Sequence, residues 1–375
     1  GESRAKAAPA VLEYLKDLEP LHRELRGASH RPESRYFIEY NLEQPFDILL
    51  PHLGLIKRLC QGLQLKASAE LALDQSESAL EDVNLMFRLT DSLSSEAFLI
   101  SYLVRGACVN ITVQTIWEGL AEQLWSDAQL EELQGQLQRL NFVSDLKRAL
   151  DGERAGAIKT MDMLSSRRGR LLEVADMYND VRRNKTASNF EAIAFSLLFP
   201  RGWFDFEKIN YCQVFATQFD RLEDAANGEL PLLQLNEDTK KFEAEISSST
   251  GIKAVFEHRL MISMLLPALS KTLYRAATAQ TAANQAAIAC ALERYRLAHG
   301  QFPDTLETLA PKFISPLPND VLTGEPYKYR RVADGTFLLY SIGWNETDDG
   351  GKPGTTLFDE KDGDWVWRYP ETSSR

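Results

Sequence analysis

The stretch YSIGWNETDDGG (340–351) sets two adjacent carboxylates, Asp348 and Asp349, in front of Gly350 and Gly351. A second acidic group, Asp362-Gly363-Asp364, follows downstream. Carboxylates beside glycines suit a hard cation such as Ca²⁺, which takes about six to eight oxygens and uses carbonyls that glycine lets turn inward. The bland reading is an acidic, solvated turn. The two segments flank a predicted strand. If they meet, their mutual repulsion favours a divalent ion. An EF-hand is excluded. Asn345, Thr347, Asp349 and Gly350 fall at its first, third, fifth and sixth positions, but Thr356 stands where the bidentate Glu is required.

Other chemistry-bearing residues form no motif. His22, His30, His52, His258 and His299 give no HExxH and no pair at helical spacing, so no zinc site is encoded locally. There is no GxSxG elbow. GGKPGTT (350–356) lacks phosphate-loop spacing and joins no strand to a helix. Glu81, Asp82, Glu118 and Glu122 sit on predicted helices, where exposed faces are expected; acid/base work would need two of them in one cleft. Trp203, Phe204 and Phe206 in PRGWFDF read as an anchor wedging a connector onto a bundle, with a ligand groove as the alternative. No catalytic and no cofactor-binding residue is therefore nominated.

The elements that must position these residues are mostly helical up to residue 257. Val11, Tyr14, Leu15, Leu18 and Leu21 recur at helical spacing. Residues 67–93 read as a helical hairpin around Asp74–Ser78. Residues 95–124 are apolar nearly all round, as at the centre of a bundle. Ser126 with Gln129 is a capping box. A long helix over about 144–178 is predicted with a break at DGERAG (151–156), where two glycines lower helix propensity. A connector over 184–202, a helix over 207–225 and a loop-like stretch over 227–251 complete the part.

From residue 258 the character changes. Residues 269–300 read as one Ala-rich helix, closed by Gly300 in the left-handed position and by Pro303. Asp304 is placed to cap a short helix, TLETLAPKF. Residues 327–331 and 336–343 alternate at period two and join through Asp334-Gly335, a hairpin signal. Residues 364–370 alternate too, with Trp365, Trp367 and Tyr369 on one face. Ile288, Leu292 and Tyr295 are predicted to face this sheet, which packs against 285–299.

The last unit resembles the globular end of the type II secretion major pseudopilins. The resemblance rests on ALERYRLAHGQFPDTLETL, the PLPND and GEPYKYR approach, DGTFLLYSIGWNETDDGG and DGDWVW, over about residues 265–367. It implies a pilin-like α+β fold and a Ca²⁺ held by loop carboxylates beside the sheet, at Asp348 and Asp349 with Asp362 or Asp364. The family's processed Gly-Phe site and hydrophobic stem are absent, and about 260 helical residues stand in their place. The helical part is similar, more loosely, to extracytoplasmic bacterial proteins of unassigned function.

Composition bounds the partners. The chain has 375 residues, 44% of them hydrophobic and 26% charged, a globular balance. A net charge of -12 argues against nucleic acid or an anionic membrane as partner. Two short basic runs, Arg167, Arg168, Arg170 and Arg182, Arg183, Lys185, read as solvated helix ends. Cys60, Cys108, Cys212 and Cys290 are far apart and read as buried free thiols. No run reaches the roughly 18 uninterrupted apolar residues of a membrane span. Gly1 in place of an initiator Met fits a chain from which an upstream signal or anchor has been removed.

The expected fold is mainly α: a helical bundle over 1–257 and a pilin-like α+β unit over 258–375. The expected role is a non-catalytic interaction or scaffold protein outside the cytoplasm, periplasmic or at the cell surface, with protein partners. The alternatives are an enzyme with a cleft in the helical part and a component of a secretion or pilus-like apparatus.

Overall fold

Helical periodicity dominates the chain, and the computed structural model follows it: the protein is mainly helical, with one small antiparallel sheet of three strands. The structure describes residues 4–41, 45–166, 201–247, 257–332 and 335–368. The basic runs, the predicted helix beyond Ser166, the connector before Arg201 and Tyr369 lie outside them.

The first helices are α1 (Arg4–Leu15) and α2 (Glu19–Ser29), followed by an extended stretch over 33–41. The hairpin is α3 (Pro51–Leu71) and α4 (Ser76–Asp91), turned at Asp74 with φ +58°. Next come α5 (Leu99–Ala121), α6 (Asp127–Gln138) and α7 (Phe142–Ser166). The Ser126–Gln129 capping box forms in both directions. α5 is long and apolar enough to cross a membrane by length and composition. Here it packs against α3, α4, α7 and the long C-terminal helix, and it buries Arg105, Thr112 and Thr115.

Three expectations for the helical part change. α7 runs unbroken through 151–156. Gly152 is there for close approach: a Cβ would collide with the Ala97 carbonyl. PRGWFDF is no connector from Arg201 on, because α8 (Arg201–Gln218) begins there. The loop-like stretch holds a full helix: α9 (Leu222–Ala226) ends just before it and α10 (Leu232–Ser247) lies inside it. α10 carries no side-chain cap signal because its first N–H groups are met from afar. Leu232 N donates to Val321 O at 3.0 Å and Leu233 N to Leu322 O at 3.2 Å.

The final helix, α11 (Leu260–His299), has 40 residues and starts earlier than expected. Gly300 closes it at φ +77°, as predicted. The short helix after it is only a 3-10 turn, Leu306–Leu309, with Thr305 and not Asp304 in the capping position. Asp304 instead faces Arg331 at 3.3 Å. The strands are β1 (Lys328–Arg331), β2 (Phe337–Ser341) and β3 (Trp365–Trp367), in that spatial order, with Arg331 opposite Phe337 and Ser341 opposite Trp365. Among the described residues no strand precedes β1.

β3 is buried on both faces, Val366 included, where one exposed face was expected. Its neighbours explain this: Trp344, Phe358 and Tyr274 all set their rings against Trp365, and Gln285 donates to Trp365 O at 2.7 Å. Ile288 and Leu292 are fully buried. Tyr295 is only partly buried and packs on His299 and Phe313. The contact of α11 with β3 thus begins further back, at Tyr274 and Gln285. The expected boundary at 257/258 falls just before α11, which packs against α5, α6, α7 and α10 as well as the sheet, in one continuous core.

Candidate functional site

The Asp/Gly loop forms next to the sheet, with Gly350 and Gly351 both at positive φ. Asp364, 1% exposed, reaches the loop: Oδ1 accepts from Asp349 N at 3.2 Å and Oδ2 from Gly351 N at 2.6 Å. Burial, with Asp348 and Asp349 adding like charge, pushes its carboxyl above the usual range, while the two N–H donors pull it back. Asp348 Oδ1 accepts from Tyr340 Oη and Gly350 N. Asp349 Oδ2 accepts from Asn345 Nδ2 at 3.4 Å. Asp362 is exposed, and its N–H turns to Asp359 Oδ1. The structure thus joins Asp348, Asp349 and Asp364 to one loop and leaves Asp362 outside. N–H and O–H donors meet one oxygen each of Asp348 and Asp349 and both oxygens of Asp364, and among the described residues no group of three or more His, Cys, Asp or Glu has metal-holding geometry. Asp348, Asp349 and Asp364 form a hydrogen-bonded turn.

A groove of about 800 Å³ opens elsewhere, between the extended stretch 32–40 and the end of α4 with its following turn, 88–96. Its fixed wall is Tyr36. The phenol stacks on His52 at 4.4 Å between centroids and 8° between planes, and its hydroxyl meets Ser92 Oγ at 2.7 Å. His52 Nε2 lies 2.8 Å from Glu96 Oε1, and Ser101 Oγ donates to Glu96 Oε2 at 2.5 Å. Burial pushes the Tyr36 hydroxyl above its ordinary range. Further along, Tyr40 stacks on Phe98 at 6.1 Å. The order Ser101–Glu96–His52 puts the carboxylate in the middle. The serine gives its proton to Glu96 and not to the imidazole, so it lacks the base of a nucleophilic triad.

A third constellation is sealed inside the helical part. Lys66 Nζ donates to Glu70 Oε1 and to Asp82 Oδ2, each at 2.8 Å, and Arg26 bonds Asp82 from α2. Asp82, expected on an exposed face, is fully buried because these two cations compensate it. Burial, then the Asp82 charge, pushes Glu70 up to about 7. His22 is 1% exposed, and burial lowers its pKa. Glu118 also has a structural task, accepting from Ser68 Oγ at 2.6 Å and from Arg4, which bonds Glu122 as well.

Trp203 and Phe204 are buried, edge to face at 5.2 Å, and act as the expected anchor; Phe206 is exposed and lies against His258. The cysteines are free thiols, with Cys60, Cys108 and Cys290 buried and Cys212 half-buried. Sequence reasoning missed Tyr36, His52, Glu96, Lys66 and Glu70. The partners stand far apart in the chain at no motif spacing, and only the α3–α4 hairpin and the turn into α5 bring them together. No family model, curated protein or solved structure matches the chain.

Proposed function

We propose that this chain is a non-catalytic interaction or scaffold protein that works outside the cytoplasm, with a pilin-like α+β end carried on a helical body. The observation that carries the reading is the ordered series at its C-terminal end. A long helix closes at Gly300, and a turn, a hairpin, an Asp/Gly loop and a last short strand follow in sequence and return to that helix. A filament subunit fits less well. The Ala-rich stretch of α11 that would bundle with other copies is enclosed by α5, α6 and α7. An enzyme would use the groove beside Tyr36, and the Ser101–Glu96 hydrogen bond speaks against a serine nucleophile there.

The test is a fusion of the natural gene, from its own start, to a reporter enzyme that becomes active only after export. Activity is expected. A reporter active only when redirected by an added signal sequence would sink the extracytoplasmic part of the reading.

Ca²⁺ comes with the pilin-like part of the reading and is decided by a melt. An ion bound only to the folded state stabilises it by about 2.7 kcal/mol at a hundredfold excess over Kd. That shift, lost in Asp349→Ala, would add Ca²⁺ to the loop; coincident curves in chelator and in millimolar Ca²⁺ would remove it.

A further inference from the structure

We propose that Cys60 and Cys108 are the two halves of a disulfide that forms as the chain folds outside the cytoplasm and clamps α3 to α5. The inference rests on the extracytoplasmic reading above for its oxidant, and it names a covalent modification of this chain.

The register of the two helices is the first argument. α3, α4 and α5 run up, down and up, so α3 and α5 are parallel neighbours, and they pack on each other. Polar ties fix their alignment at both ends. At the first, His52 on α3 and Ser101 on α5 share the Glu96 carboxylate, at 2.8 and 2.5 Å. At the other, Ser68 on α3 donates to Glu118 on α5 at 2.6 Å. Counting from the first tie, Cys60 lies eight residues along α3, about 12 Å, and Cys108 seven along α5, about 10 Å. Counting back from the second tie gives eight and ten residues, about 12 and about 15 Å. Both counts bring the two cysteines to nearly the same level.

Their facing is the second argument. Both cysteines are 0% exposed. Cys60 lies in the buried stripe of Leu53, Ile56, Leu63 and Ala67, and Cys108 between Arg105 and Thr112, buried one turn away on either side. The two thiols hydrogen-bond to each other. Packed helix axes lie about 8–10 Å apart, and each Cα stands about 2.3 Å from its axis. Facing Cα atoms are therefore about 3.5–5.5 Å apart, which overlaps the range of about 4.4–6.8 Å that a disulfide spans. Cys212 and Cys290 stand on α8 and α11 and give the pair two internal controls.

The chemistry is thiol–disulfide exchange with a small disulfide or a disulfide-bearing oxidoreductase, the oxidants of a secretory compartment. One cysteine thiolate attacks the donor disulfide, forms a mixed disulfide and releases the first donor thiolate. The second cysteine thiolate then attacks the sulfur of the first cysteine and releases the other donor thiolate. The two protein protons pass to the two leaving thiolates: two thiols are oxidised and one disulfide is reduced. Exchange takes place before the α3–α5 face closes, because the closed face shields both sulfurs. The bond encloses all of α4 in a covalent loop from residue 60 to 108 and limits how far the unfolded chain can open.

The experiment refolds the full chain in mixed reduced and oxidised glutathione, at the poise of a secretory compartment. It then blocks free thiols with a maleimide in denaturant and maps the peptides by mass. Two of the four thiols should be protected, on one peptide pair joining Cys60 to Cys108. The oxidised chain should melt roughly 5 °C above the reduced one. Cys60→Ala and Cys108→Ala should each leave the three remaining thiols reactive and abolish that shift. Four reactive thiols, a bridge to Cys212 or Cys290, or an oxidised chain that melts no higher than the reduced one would each overturn the proposal. Should refolding give no folded chain, the same map is made on chain secreted by a host with an oxidising export route, where four reactive thiols overturn it equally. The glutathione arm does not depend on where the natural chain travels, so failure of the export test alone would overturn the location and the setting of the bond while the Cys60–Cys108 linkage itself stands or falls by its own map.

Discussion

Burial decides what the individual charged residues do. Glu70 is 4% exposed, and its carboxyl is pushed up to about 7. Its unfolded value is near 4.5, so the folded state prefers the protonated form. That stability is fully present below about pH 4.5 and is lost as the pH rises through about 7. At 1.36 kcal/mol per unit the swing is about 3 kcal/mol. Glu70→Gln, which keeps a bond to Lys66 and cannot ionise, should remove it. Denaturant titrations of both proteins at pH 4.5 and pH 8 check this. A stability difference between them that stays constant across that window would mean the Lys66 ammonium holds Glu70 ionised throughout. Gly152 has its own test. A Cβ there meets the Ala97 carbonyl, which is backbone and cannot step aside. Gly152→Ala should lose at least about 1–3 kcal/mol, the overpacking range, although alanine is the better helix former. A neutral or stabilising result would show that α7 and the 97–99 turn are not in contact.

At the scale of elements, legibility followed how local the cause was. The α3–α4 hairpin, the capping box at Ser126, the left-handed Gly300 and the hairpin through Gly335 were readable because each is fixed by residues a few positions apart. α10 was not, because its first N–H groups bond to Val321 and Leu322 and its buried face includes Asn236 and Thr239. Gly152 misled for the same reason: its lost propensity is visible in sequence, and the carbonyl it accommodates is not. The candidate groove was illegible altogether, since Tyr36, His52 and Glu96 share no spacing. The Asp/Gly loop was legible as a loop, but the sequence could not show that Asp364 would satisfy its N–H groups. Packing of α11 offers the measurement at this scale. Leu292 is fully buried between the helices and the C-terminal unit. Leu292→Ala should cost about 2–5 kcal/mol, transfer plus cavity. A loss under about 0.5 kcal/mol would mean this face of α11 is open to water.

The whole molecule turns on α11, which belongs to both parts the sequence suggests. In a helix backed only by a sheet, the far face would be wet. Here Ala276, Ala277, Ala279, Ala282, Ala283, Ala286, Ala287, Ala289 and Ala291 are all buried, and together with the buried Thr281, Gln285 and Ile288 their positions run round the helix. Small side chains let α5 and α6 come close on one side while the sheet covers another. Polar ties cross the same line. Gln280 Oε1 accepts from Phe142 N at 2.7 Å, meeting a first-turn donor of α7, and its Nε2 donates to Leu140 O at 3.1 Å. Arg294 reaches Asp127 and Glu131 on α6, each at 3.0 Å, and also Phe313 O. Cutting the chain at residue 258 would strand these groups and expose an apolar helix face. We therefore expect the isolated segment 258–375 to lack fixed tertiary packing, with lost near-ultraviolet dichroism and dye binding at its exposed surface. In the full chain the two parts should unfold as one. Native-state hydrogen exchange reads this directly: the best-protected amides of β2 and of α5 should open with the same free energy and the same denaturant dependence. Sheet amides that open at distinctly lower free energy than those of α5 would show that the C-terminal unit unfolds by itself and that α11 stays with the helices when it does.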